Sequence, residues 1–164
     1  FEAGIVLLWP YLQSLFKRCN LLGEDEQFID ENSQLRAHAL LCEIMQVEPD
    51  QDIYMVINVL LGFAYDLQVE EVIELSEEEQ MEVAKLIESV ITHWPAISGL
   101  AAKDLRELFL QRQGMLQLSE NGYQITIESK SQDVLLTKLP WGLGTVTLPW
   151  LGESLIQIKW QYGW

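Results

Sequence analysis

The chain has 164 residues, 49% of them hydrophobic, and a formal net charge of −15. That length and apolar content suit one compact domain (residues 1–164) with a sizeable core, and no apolar run reaches the roughly 18 residues that a membrane span needs. The acidic balance opposes nucleic acid and anionic membrane surfaces, because like charges repel.

The charge is uneven. Residues 1–99 hold nineteen acids and four bases, whereas residues 100–164 hold six of each. An acidic surface of this kind is first of all a solvated one; a docking face for a basic partner is the sharper reading. Phe1 stands where a start methionine would, so the expectation is a fragment or processed product of a longer protein. The apolar stretch over residues 4–16 is interrupted by Pro10, Gln13 and Ser14. It lacks a basic leader and a small-residue cleavage site, so it does not read as a signal peptide.

Ile5, Leu8, Trp9, Leu12, Leu15, Phe16 and Cys19 recur at helical spacing. Pro10 lies inside that pattern; it either kinks the helix or marks its first turn, with Val6 to Trp9 extended ahead of it. Asn20-Leu21-Leu22-Gly23 reads as the C-terminal cap. A second helix is predicted from about Glu31 to Gln46, with Leu35, Ala39, Cys42 and Met45 in one stripe and Leu41 and Ile44 beside it. Pro49-Asp50 breaks it. Ile53, Val56, Ile57, Leu60 and Leu61 form a third helix ending at Gly62, and a connecting segment spans Tyr65 to Leu75. Ser76-Glu77-Glu78-Glu79 is a capping box, and its acids suit the positive end of a helix. Met81, Ala84, Leu86, Ile87, Val90 and Ile91 supply that helix's apolar face, and His93-Trp94-Pro95 stops it. A fifth helix carries Leu105, Leu108, Phe109 and Arg112, with Gly114 as its C-cap.

Beyond Gly114 the period changes from helical to alternating. Tyr123, Ile125 and Ile127 alternate with polar residues after an Asn121-Gly122 turn. Val134 to Leu139 reads as a helical turn or a strand. Leu-Pro-Trp then occurs twice, nine residues apart, at Leu139-Pro140-Trp141 and Leu148-Pro149-Trp150. Gly142 and Gly144 allow a tight bend before a short strand at Val146 to Leu148. A last strand runs from Leu155 to Trp160. Helices first and strands last predict an α+β fold: about five helices over residues 4–113, then a small antiparallel sheet over residues 115–161.

Little in the chain points to catalysis. His38 and His93 have no partner at metal spacing, and Cys19 and Cys42, 23 residues apart, do not make a zinc site. Buried free thiols are the expectation, with a disulfide between them left open. Nucleophile-elbow, P-loop and dinucleotide fingerprints are absent. Arg106 and Arg112 are read as pairing with carboxylates such as Asp133 or Glu128. The expectation is therefore a binding or structural module with no catalytic residue, no metal and no cofactor. Trp141 and Trp150 are read first as core side chains pinning the sheet. The alternative makes Trp141, Trp150, Trp160 and Trp164 protein-contact anchors.

The order of motifs carries a resemblance. Gly4 to Leu12 is followed by Arg36-Ala37-His38-Ala39-Leu40-Leu41, Asn58-Val59-Leu60-Leu61-Gly62 and Leu75-Ser76-Glu77-Glu78-Glu79. Then come His93-Trp94-Pro95, the run from Leu105 to Gly114, Asp133-Val134-Leu135-Leu136 and the doubled Leu-Pro-Trp. This succession, from about residue 3 to residue 160, resembles the domain of tape measure proteins from contractile injection systems, the phage-tail-like machines that drive a tube through an envelope. Two positions depart from the family pattern: Leu61 is followed directly by Gly62 where a cysteine is usual, and Trp9-Pro10 replaces a His-Pro.

The resemblance implies a non-enzymatic role in setting tube length. A helix rises about 1.5 Å per residue, so a ruler for a tube of roughly 1000 Å needs some hundreds of residues. A globule of this size has a radius of gyration near about 15 Å. The implied role is an end module that anchors a ruler lying elsewhere. Its partners would be the baseplate hub or spike, the tube or a cap, with self-association possible; neither nucleic acid nor membrane insertion is implied. It would be cytoplasmic during assembly, then inside the particle, in the tube lumen or at its end. The alternative is an adaptor or chaperone holding cargo or effector through the acidic helical face.

Overall fold

The computed structural model describes residues 2–46 and 51–160. The expected break at Pro49-Asp50, the Ile53 side chain, residue 161 and Trp164 lie outside them. Five α-helices come first: α1 (Trp9–Arg18), α2 (Glu31–Met45), α3 (Gln51–Leu60), α4 (Glu77–His93) and α5 (Ala102–Leu105). A four-stranded sheet follows, from β1 (Gly114–Ser119), β2 (Gly122–Ile127), β3 (Thr145–Val146) and β4 (Leu155–Trp160). The α+β order expected from the sequence is the observed one.

Pro10 sits in the first turn of α1, where its missing N–H costs no hydrogen bond. The residues ahead of it are not extended. Gly4–Leu8 forms a fully buried 3-10 turn. It lies so close to the helix that ends at Leu110 that a Cβ on Gly4 would meet the Phe109 carbonyl oxygen at 1.9 Å. Only glycine allows that approach. At its other end α1 closes with Asn20 at φ 59°, while Leu21 N–H reaches Phe16 O (2.9 Å) and Asn20 N–H reaches Lys17 O (3.0 Å). This is the paired bonding of a Schellman cap.

The capping box of α4 forms as read: Ser76 Oγ accepts from Glu79 N–H at 3.1 Å, and Glu79 Oε1 accepts from Ser76 N–H at 3.0 Å. Arg36 of α2 also reaches the Glu79 carboxylate, so the cap ties α4 to α2. Burial pushes the Glu79 carboxyl up, but Arg36 and the Ser76 N–H outweigh it and hold it below the usual range.

Several helix faces are rotated from the expected ones. In α2 the buried residues are Ser33, Ala37, His38, Leu40, Leu41, Ile44 and Met45, while Leu35, Ala39 and Cys42 are half-buried. In α4 Val83 is buried, whereas Met81 and Ala84 are exposed. Both helices carry more apolar positions than one stripe holds, and the neighbours they pack against choose among them. The fifth helix also differs. It continues from α5 as a π-helical turn over Arg106–Leu110, and Gly114 opens β1 instead of capping a helix.

The sheet has the order β1-β2-β4-β3. β1 with β2 and β3 with β4 are antiparallel, but β2 and β4 are parallel, so the expected antiparallel sheet is a mixed one. The long connection from β2 to β4 is the reason: it crosses the sheet and brings the chain back in the same direction. It holds a 3-10 segment (Ser131–Lys138), the doubled Leu-Pro-Trp strap and β3, which is shorter than expected. Register sets Tyr123, Ile125 and Ile127 opposite Ile156, Ile158 and Trp160 on one face. That face joins the helices in one cluster of buried apolar side chains.

Candidate functional site: a strap laced by tryptophans

Each of the five described tryptophans donates its indole N–H to a distant group. Trp9 bonds Gly142 O (3.0 Å), and Trp141 returns a bond to Leu7 O (2.9 Å), so the strap and the start of the helical body are tied in both directions. Trp150 bonds Leu60 O (2.8 Å) and packs between Phe16 and Phe28 at centroid distances of 5.4 and 5.2 Å. Trp94 bonds Leu135 O (3.1 Å) and stacks near Phe109 at 5.0 Å. Trp160 bonds Asp133 Oδ2 (3.0 Å). An indole has one donor, and burying it without a partner is costly, which is why each finds an acceptor.

Arg112 and Asp133 are fully buried. Arg112 Nη1 reaches Asp133 Oδ1 at 2.5 Å and Nη2 reaches Oδ2 at 2.8 Å, a bidentate pair. Nη2 also donates to Glu128 O (2.7 Å) and Nη1 to Leu108 O (3.2 Å). The guanidinium lies 5.4 Å from the Trp160 ring centroid. Burial pushes the Asp133 carboxyl up, but Arg112 and the N–H groups of Lys130 and Trp160 overcome it and hold it below the usual range. The sequence reading pairs Arg112 with Asp133 or Glu128. Its side-chain partner is Asp133, and Glu128 contributes its backbone. Arg106 bonds Ile44 O (2.8 Å) instead of a carboxylate.

A second buried polar group has no signal in the sequence beyond the i, i+4 spacing of His38 and Cys42. Cys42 Sγ lies 3.7 Å from His38 Nδ1. His38 is 3% exposed, and the Asn58 side chain acts on it in the direction of a hydrogen bond. Yet His38 Nε2 and Asn58 Oδ1 each lack a partner at bonding geometry. The residue types imitate a cysteine nucleophile with its base and orienting amide, but the electrostatics run the other way. Burial pushes the Cys42 thiol up to about 12 and the His38 imidazole down to about 4, so both are neutral near pH 7 and the thiol is not activated. The thiol contact lies within α2; the His38 ring meets Tyr54 edge-on at 4.7 Å, which joins α2 to α3. Cys19 and Cys42 are both free thiols.

The expected contact tryptophans are not gathered on one surface. Trp160 is 5% exposed, with its ring under Arg112 and its N–H committed. Trp141 and Trp150 are half-buried at separate points of the strap. Trp141 lies at one end of a groove. Its ring meets Tyr11 edge-on at 5.1 Å, beside half-buried Trp9 and exposed Pro10, Pro140 and His93. That groove, of about 200 Å³, runs between α1 and α4, lined by Tyr11, Ser14, Arg18, Glu82, Ser89 and His93. Among the described residues no three His, Cys, Asp or Glu side chains are placed to hold a metal, and no helix is long and apolar enough to cross a membrane.

Residues 2–160 match a family model described as contractile injection system tape measure protein. No curated protein and no solved structure matches the chain.

Proposed function

The chain belongs to the contractile injection system tape measure protein family, and from that membership we propose that it is a non-enzymatic end module anchoring a tape measure to the rest of the machine. The family match over nearly the whole chain carries this reading. Size supports the end-module form, because a compact unit of this length is far shorter than a tube-long ruler. The partners are other components of the machine: the baseplate hub or spike, the tube or a terminating cap. The protein works in the cytoplasm during assembly and inside the particle afterwards.

The contact surface in this reading is the aromatic rim of the strap. Trp141, with Tyr11 and Trp9 beside it, offers large rigid apolar area next to a groove, which is the setting of interface hot spots. Trp150 is a second, separate point of contact, and Trp164 a further candidate. Trp160 has little free surface, and its part is to hold the buried Arg112–Asp133 pair.

The test is electron microscopy of particles from cells whose full-length gene lacks the segment encoding residues 1–164. Tubes that vanish or lose their uniform length are the expected result. Tubes of unchanged, uniform length would sink the anchoring role and favour the adaptor reading, in which the acidic helical face holds cargo.

A further inference from the structure

The connection from α3 to α4 holds a strand-like segment that belongs to no sheet. Residues 68–75, Gln-Val-Glu-Glu-Val-Ile-Glu-Leu, run without a helix, turn, bend or positive φ. Both ends are fixed. The buried Asn58 amide donates to Tyr65 O (3.2 Å) and Leu67 O (2.9 Å), and the Ser76 capping box holds the other end. Between those ties no backbone N–H or C=O of residues 68–75 is hydrogen-bonded within the described residues.

Burial nevertheless alternates as in a half-covered strand. Val69, Ile73 and Leu75 are half-buried, with Leu75 packed on the core, while Gln68, Glu70, Val72 and Glu74 are exposed, and Glu71 with them. Val72 is 96% exposed, the most open large apolar side chain among the described residues. Val69, Val72 and Ile73 are β-branched and favour the extended form. Asp66, Glu70, Glu71 and Glu74 have no cationic partner among the described residues. The chain has no lysine or arginine from residue 37 to residue 84.

We propose that residues 68–75 are a ligand strand, which adds to a sheet of a partner protein whose edge strand carries lysine or arginine on either side of an apolar residue. An extended chain with unpaired backbone groups adds to a sheet edge through main-chain bonds, and alternate side chains set the specificity. Held straight at both ends, this segment loses little further freedom on pairing. The outward side chains select the partner. Glu70, Val72 and Glu74 stand at every second position, so the facing strand meets them with a base, an apolar residue and a base at cross-strand positions. Lysine is a residue with which natural sheet edges are guarded against indiscriminate pairing, and the two glutamates neutralise that guard. A second copy of the segment fails the same condition. Antiparallel pairing about Val72 sets Glu70 against Glu74, and in-register parallel pairing sets each glutamate beside its own counterpart. The segment includes none of the aromatic-rim residues, so this contact does not rest on the anchoring role.

The experiment titrates the purified chain with a short synthetic peptide containing Lys-Thr-Val-Thr-Lys. Binding is read by fluorescence anisotropy of the peptide and by residue-resolved amide hydrogen exchange of the chain. We expect saturable binding that slows alternate amides within residues 68–75 at least about tenfold, as pairing along one edge requires. Glu70→Lys combined with Glu74→Lys should weaken binding at least about tenfold at an unchanged melting temperature. A peptide with N-methylated backbone amides keeps the charge but lacks the donors, and it should not bind. Nor should the counterpart with glutamate in place of lysine. Absence of saturable binding overturns the proposal. So does equal binding by the double variant or by either control peptide, and so does protection confined to other residues. Slowing of the same amides as protein concentration rises, with no peptide present, would make a second copy the occupant and overturn the choice of a basic edge.

Discussion

Arg112 and His38 are both buried polar side chains, one charged and one neutral, and each sets a different condition on stability: Arg112 an ion-pair partner, His38 a neutral state. Arg112→Ala would leave the Asp133 carboxylate buried opposite a void, with only the Trp160 and Lys130 N–H groups to hold it. Breaking a buried pair from one side costs about 3–5 kcal/mol, so urea unfolding should show a loss of that size. Replacing both partners by apolar residues of similar volume should cost less, because no orphaned charge remains. His38 is tested by pH. Its imidazole sits at about 4 in the fold against 6.5 ordinarily, so the unfolded chain takes up a proton that the native one refuses. Stability is therefore full above about pH 6.5 and falls progressively toward pH 4, by about 3 kcal/mol at most. His38→Gln should flatten that part of the pH profile. Asp133, held below its ordinary value, adds its own loss only at lower pH.

At the scale of elements, caps and close approaches fix where helices start and how they meet. Glu79 closes the capping box and pairs with Arg36, so the start of α4 is also the joint to α2. Ser76→Ala removes the acceptor for Glu79 N–H and should destabilise the chain by about 1 kcal/mol in thermal unfolding. Arg36 and Glu79 remain in contact in that variant, so α2 and α4 stay docked. An unchanged melting temperature would mean that the ion pair alone sets the helix start. The strap has little regular hydrogen bonding of its own, and its place is set by indole N–H bonds to Leu7 and Leu60 and by the Trp9 bond to Gly142.

Over the whole molecule, charge and architecture divide at nearly the same point. The acids are concentrated in residues 1–99, in α2, α4 and the connections more than in α1, which has none, and residues 100–164 are neutral overall. The acidic part is suited to repel copies of itself and to stay solvated. Removing residues 1–164 from the full-length gene tests the molecule as a unit, since strap, sheet and helices share one buried cluster and a smaller deletion would unfold it. Uniform tubes without the segment would mean that length is set elsewhere.

The sequence by itself determined the order of helices before strands, the place of the C-terminal cap of α1, the capping box of α4 and the inward faces of β2 and β4. These are short-range matters: a cap is settled within four residues and a strand face by alternation. Motif order also carried the family, and Arg112 was legible as the partner of a nearby carboxylate, Asp133 or Glu128, of which the fold chose Asp133. Only the tertiary structure decided which stripe of α2 and α4 is buried, that β2 and β4 run parallel, and that His38 of α2 packs edge-on against Tyr54 of α3. It alone sent Trp9 to Gly142 and Trp141 to Leu7, across 133 and 134 residues. Such contacts form when distant apolar faces close on one another, and the acceptor of an indole N–H is then whichever carbonyl that closure brings near, which no local pattern encodes.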